Sequence, residues 1–189
     1  ICEGEISMSL NDTPRANRLH IGLFGKRNSG KSSLVNALTN QSTALVSDVA
    51  GTTTDPVYKS MEIHGIGPCV FIDTAGFDDE GALGTMRVEK TRLASERTDI
   101  ALVLFSDADI EEELRWIERF RAAKTPVLAI VNKADAQDDG GRGIAAAVER
   151  ASGLKPIVVS ALERRGIGGI REELIRLLPE DYEVKSVTG

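Results

Sequence analysis

Gly25-Lys26-Arg27-Asn28-Ser29-Gly30-Lys31-Ser32 is the stretch on which the fold turns. It matches G-x-x-x-x-G-K-[ST] at every fixed position. It follows a short apolar strand over 20–24 and opens a helix over 31–39, the context the motif requires. The glycines let the backbone wrap its N–H groups around an anion, and the helix N-terminus adds positive potential there. Asn28, Ser29, Gly30, Lys31, Ser32 and Ser33 are then the candidate phosphate cradle. Lys31 is placed to reach β and γ phosphates, and the Ser32 hydroxyl to ligate Mg²⁺.

Outward from this loop, strands alternate with helices. Strands are expected at 57–63, 69–73, 100–105, 126–132 and 156–160. The Gly65-Ile66-Gly67-Pro68 turn joins the first two as a hairpin. Helices are expected at 109–123, with Ile110, Leu114, Ile117 and Phe120 as its apolar stripe, at 143–152 and at 169–178. This alternation predicts an α/β domain: a six-stranded, mostly parallel sheet with one antiparallel edge strand and helices on both faces. The expected organisation is an N-terminal arm over 1–18, a domain over 19–179 and a tail over 180–189 that leads to domains absent from this chain. Residues 1–7 precede a Met8-Ser9-Leu10 that reads as a natural start, and are expected to be non-native.

The 189 residues suit one domain, with 41% hydrophobic and 28% charged residues, a globular composition. The net charge of −6 argues against nucleic-acid binding driven by counterion release. No apolar run is long enough to span a membrane, and no secretory leader is evident. Cys2 and Cys69 fit no disulfide framework, which points to a reducing, cytoplasmic setting. With His20 and His64 they show no ligand spacing, so no iron–sulfur cluster is expected on this chain. Cys69 reads as core filler, and Trp116 as partly buried at the margin of its helix stripe.

Asn132-Lys133-Ala134-Asp135 stands at a strand's carboxyl end, on the rim that binds ligands in open parallel sheets. A carboxylate accepts two hydrogen bonds, so Asp135 can take N1–H and the exocyclic amine of guanine. Adenine lacks that donor pair. The stem of Lys133 can cover the base, and Ser160-Ala161 can offer a backbone N–H to its oxygen.

With Asp73-Thr74-Ala75-Gly76 in D-x-x-G register, the chain resembles the GTPase superfamily in all five motifs, in order, over roughly 20–178. The resemblance implies a Ras-like phosphate-loop GTPase domain with three α/β/α layers. It also implies GTP and GDP as ligands, Asp73 near Mg²⁺ and the Gly76 N–H on the γ-phosphate. Phe77 occupies the position of the Ras-type glutamine, and a hydrocarbon ring cannot orient water. Asn28 matches the asparagine that helps bind K⁺ in cation-activated GTPases of the TrmE-Era-EngA type; as a residue alone it reads equally as a polar loop position. Among Thr52, Thr53 and Thr54 the spacing leaves the switch ligand open, and the G-T-T-x-D resemblance favours Thr53 for Mg²⁺. Lys31, Thr53, Gly76 and Asn28 are thus the expected catalytic set.

The stretches 51–62 and 73–81, with Arg87-Val88-Glu89-Lys90, resemble the GTPase domain of HydF, the scaffold of [FeFe]-hydrogenase maturation. That likeness implies a slow, K⁺-activated GTPase and a possible G-domain homodimer in the GTP state. Its implied partners are the radical-SAM maturases HydE and HydG and the hydrogenase. The competing readings are a tRNA-modification or ribosome-assembly G domain, which Thr54 in place of the usual Arg opposes, and a nucleotide-gated module with negligible turnover.

Overall fold

The structure, a computed structural model, describes residues 18–39, 45–49, 57–74, 92–180 and 182. Its strands are β1 (Leu19–Phe24), β2 (Leu45–Val49), β3 (Val57–Ile63), β4 (Gly67–Asp73), β5 (Ile100–Phe105), β6 (Val127–Val131) and β7 (Ile157–Val158). Its named helices are α1 (Lys31–Thr39), α2 (Glu111–Ala122), α3 (Arg142–Ser152) and α4 (Ile167–Arg176). A further helical segment covers 92–96. The sheet order is β2-β3-β4-β1-β5-β6-β7.

All six expected strands are present. The seventh, β2, pairs antiparallel with β3 and takes the edge that was expected for β3. Because β3 is also antiparallel to β4, it is the one strand running against the others. β2 escapes pattern reading because Ser47 and Asp48 interrupt a five-residue apolar stretch. The hairpin turn also sits earlier than expected. His64 to Ile66 make the turn, Gly65 has a φ of +88°, and β4 already pairs at Gly67 with Ile63.

The central strands alternate strictly between two cores. Leu19, Ile21 and Leu23 of β1, with Ile100, Leu102 and Leu104 of β5, face one layer, where Leu34, Val35 and Leu38 of α1 meet Ile167, Ile170 and Leu174 of α4. Ala101, Val103 and Phe105, with Ala129 and Val131 of β6, face the other, where Ile117 and Phe120 of α2 meet Ile144 and Val148 of α3. Burial on both faces is what a parallel sheet demands, and every residue of β5 is buried. Cys69 is core, as expected. Burial pushes its thiol up to about 12, and it donates to the Gly67 carbonyl at 3.4 Å.

One helix start, that of α3, is held by a side chain. Asp139 accepts from the N–H groups of Gly141 (2.9 Å) and Gly143 (2.6 Å) ahead of α3, and these bonds hold its carboxyl below the usual range. The α2 stripe is the expected one with a carboxylate added. Ile117, Phe120 and Glu113 are buried, and Ile110 and Leu114 are half-buried against the same core. Phe120 packs on Phe24 at 4.7 Å between centroids, and Trp116 lies 4.9 Å from Phe24, half-buried as expected. This aromatic group ties α2 to the strand end that carries the phosphate loop. Phe120→Ala is expected to destabilise the domain by about 3–5 kcal/mol, read by urea unfolding.

Candidate nucleotide-binding site

The sheet order reverses at β1, whose neighbours are β4 and β5, and ligands bind at the strand carboxyl ends beside such a point. The Gly25–Lys31 loop leaves β1 there. Gly25 (φ +150°), Asn28 (φ +61°) and Gly30 (φ +92°) take left-handed or otherwise glycine-favouring conformations that let the loop curl back on itself. An added Cβ at Gly25 would meet the Leu104 carbonyl at 2.6 Å, and one at Gly30 would collide with Asn132 Nδ2. The loop therefore lies against β5 and the Asn132 turn with no space for side chains at these points.

Beside it opens a cleft of about 540 Å³ lined by Arg27, Asn28, Gly30, Lys31, Ser32, Ser33 and Lys133. Residues about 100 apart in the chain meet here, as the motif spacing predicts. Lys31 is 4% exposed, and its ammonium donates to the carbonyls of Gly25 (2.6 Å) and Lys26 (2.8 Å). Ser32 Oγ donates to Asp73 Oδ2 at 3.2 Å. These are two hard oxygen donors side by side at the mouth of the loop, a set that fits Mg²⁺ completed by phosphate oxygens. Thr74, next to Asp73, donates to the Leu23 carbonyl and pins β4 to β1.

Ser29 and Asn132, the expected phosphate and base ligands, are both drawn into the bonds that close the loops. Ser29 is fully buried and is not among the residues lining the cleft. Its N–H donates to the Lys26 carbonyl at 3.2 Å, and its carbonyl accepts from Asn132 Nδ2 at 2.9 Å. Asn132, 1% exposed, also accepts from the Ala161 N–H at 3.1 Å through Oδ1. Both residues hold loops together, because closing the phosphate loop against the sheet leaves their polar groups inside. Ser160, fully buried, donates its hydroxyl to Asp135 Oδ1 and accepts from the Glu163 N–H at 3.0 Å. Asp135 is exposed and Lys133 half-buried, with Lys133 in the left-handed region (φ +61°). Thr53, Gly76 and Phe77, and the Asp78-Asp79-Glu80 run, lie outside the described residues.

The sequence reading missed a charged cluster beneath the loop. Lys26 Nζ lies 3.1 Å from Asp107 Oδ1 and 3.1 Å from Asp109 Oδ2. Burial pulls its ammonium down, but the Asp107 and Asp109 bonds and the Glu113 charge outweigh this, leaving it raised. Glu113 Oε1 accepts from the Lys26 N–H at 3.3 Å, and burial pushes the Glu113 carboxyl up. Glu113 was findable. It stands four and seven residues before Ile117 and Phe120, which puts a carboxylate on the apolar stripe.

A phosphate loop at the switch point of a doubly wound sheet, with an Asn-Lys-x-Asp turn locked to it, defines a guanine-nucleotide-binding domain. Residues 20–133 match the family of 50S ribosome-binding GTPases, and the chain belongs to that family. It is 36% identical over 163 residues to the tRNA modification GTPase MnmE of Bordetella parapertussis, covering 84% of this chain and 34% of that protein. It is 35% identical over 171 residues to the GTPase Der of Wolinella succinogenes, covering 84% and 36%. Among solved structures, a point variant of Aquifex aeolicus Era bound to GDP·AlF₄⁻ superposes with a TM-score of 0.65 at 25% identity, covering 85% of this chain and 57% of that one. The chain thus spans about a third of the length of these curated relatives. Gly30→Ala, which forces a Cβ onto the Asn132 amide, is expected to lower guanine-nucleotide affinity at least tenfold, measured by fluorescent GDP titration.

Proposed function

We propose that this chain is the GTP-hydrolysing regulatory domain of a larger protein. The observation that carries the reading is the convergence of Lys31, Ser32 and Lys133 around one cleft, with Asp73 bonded to Ser32 and Asp135, two residues beyond Lys133, bonded to Ser160. In this reading the backbone N–H groups from Asn28 to Ser33 and the Lys31 ammonium take the phosphates. Ser32, Asp73 and Thr53 hold Mg²⁺, which neutralises phosphate charge. Asp135 reads the guanine donor pair, Lys133 covers the base, and the Ser160-Ala161 turn meets its oxygen. Asp135→Asn is then expected to weaken GTP at least tenfold and to admit xanthosine triphosphate, whose extra carbonyl accepts from the new amide. Competition binding measures this, and an unchanged preference for GTP refutes the assignment.

Hydrolysis needs positive charge beside the phosphates, and Phe77 supplies none. Asn28 lines the cleft and is exposed, so its amide oxygen is available to a cation. In this proposal K⁺ is held with Asn28 and supplies that charge. Removing such a stabiliser typically costs on the order of 10²–10³ in rate. Multiple-turnover phosphate release is expected to be faster in KCl than in NaCl at matched ionic strength, and Asn28→Ala to abolish the difference with GTP affinity nearly unchanged. Equal rates in both salts refute the cation proposal. No release in either leaves a nucleotide-gated interaction module as the reading.

For the whole protein, the identities to MnmE and Der favour a tRNA-modification or ribosome-assembly setting. The HydF resemblance over 51–62, 73–81 and 87–90 and the −6 charge support a maturation scaffold, with the radical-SAM maturases and the hydrogenase as partners. On the comparisons the first setting has the stronger support. Binding of tRNA or ribosomal RNA at physiological salt upholds it; capture of radical-SAM maturases without RNA binding upholds the second.

A further inference from the structure

Glu113 sits where a carboxylate is costly. It is 1% exposed on the first turn of α2, beneath the phosphate loop, on the stripe of Ile117 and Phe120. Its Oε2 has no hydrogen-bond partner and stands 3.9 Å from Lys26 Nζ. That ammonium is held more closely by Asp107 and Asp109, each at 3.1 Å, so Glu113 is not needed as its counter-ion. What Glu113 alone provides is the acceptor for the Lys26 backbone N–H, at 3.3 Å.

That N–H belongs to the peptide unit joining Gly25 to Lys26. The carbonyl of the same unit is Gly25 O, which accepts from Lys31 Nζ at 2.6 Å. A peptide unit is planar and trans, so its N–H and C=O point in opposite directions and turn together. Fixing the N–H on Glu113 therefore fixes where the carbonyl aims, and with it the ammonium. A charged acceptor also polarises the unit and strengthens the bond at its far end. Gly25 has no side chain to hold this plane and a φ of +150°, so the orientation must be imposed from outside.

We propose that Glu113 is a positioning residue for Lys31: its buried carboxylate locks the Gly25–Lys26 peptide plane that holds the phosphate-binding ammonium. This rests on the reading of Lys31 as the ligand of β and γ phosphates. It makes a prediction that a packing role does not. Glu113→Leu removes an unpartnered buried oxygen but leaves the Lys26 N–H without its acceptor, so the melting temperature alone is no readout of positioning. The readout that separates the two roles is the ratio of GTP to GDP affinity, since a general loss of packing weakens both nucleotides alike.

The test uses the chain as it stands, with fluorescent GTP and GDP titrations and thermal melts of wild type, Glu113→Leu and Glu113→Gln. Glu113→Leu is expected to stay folded at the titration temperature and to bind GTP at least tenfold more weakly, with a smaller loss for GDP. Glu113→Gln keeps an acceptor oxygen for the Lys26 N–H and is expected to stay within threefold of wild type. The proposal is overturned if Glu113→Leu keeps its GTP affinity, if it loses GTP and GDP affinity equally or does not fold, or if Glu113→Gln is as weak as Glu113→Leu. Wild-type binding with an unaffected Glu113→Leu removes this inference alone. A wild type that binds no guanine nucleotide removes the functional reading and this inference with it.

Discussion

Asn132 uses the two ends of one amide on two loops. Nδ2 donates to the Ser29 carbonyl in the phosphate loop, and Oδ1 accepts from the Ala161 N–H in the turn after the last parallel strand. Both bonds are buried, where each lost partner costs about 1–3 kcal/mol. The span is set by β1, β5 and β6 lying side by side, so the amide converts sheet geometry into a fixed distance between phosphate side and base side. Gly30 must lack a side chain because that amide occupies the place its Cβ would take. The residue expected as a base ligand is also, in the fold, the tie that makes both halves of the cleft one object.

The sheet itself was legible because its signals are redundant. β5 is apolar at all six positions, and β6 offers Leu128, Ala129, Ile130 and Val131 in succession, so no helical period competes. The phosphate loop was legible because glycine, lysine and serine at fixed offsets each have a separate physical requirement. β2 was not, since its pairing with β3 is a tertiary event that Ser47 and Asp48 do not advertise. The placement of Ser29 was illegible for another reason. The motif says that its residues surround an anion, but not which of their side chains the sheet will cover.

Glu113 shows where the pattern held information that went unread. Three acidic residues open α2, where the helix dipole favours negative charge. Two of them, Glu111 and Glu112, are exposed and suit that role. The third faces the core, and only the helical period separates it from its neighbours. Lys26 was passed over in the same way, as a variable position inside a motif. Residues that the motif leaves free are where a particular chain can tune the common machinery.

The arrangement around Lys31 bears on how the site meets phosphate. Two loop carbonyls already hold its ammonium at 2.6 and 2.8 Å, so the charge is compensated and aimed before any phosphate contact forms. An exposed lysine would lose up to about 2 kcal/mol of side-chain entropy when fixed by a ligand. Here folding has already met that cost, within a side chain that is 4% exposed. The same preorganisation demands that the carbonyls themselves be rigid. Asn132 secures the loop at Ser29, Ser29 in turn binds the Lys26 carbonyl through its N–H, and Glu113 meets the loop at the Lys26 N–H. The rigidity of the cradle thus comes from buried side chains at the end of β6 and on α2, outside the phosphate-loop motif itself.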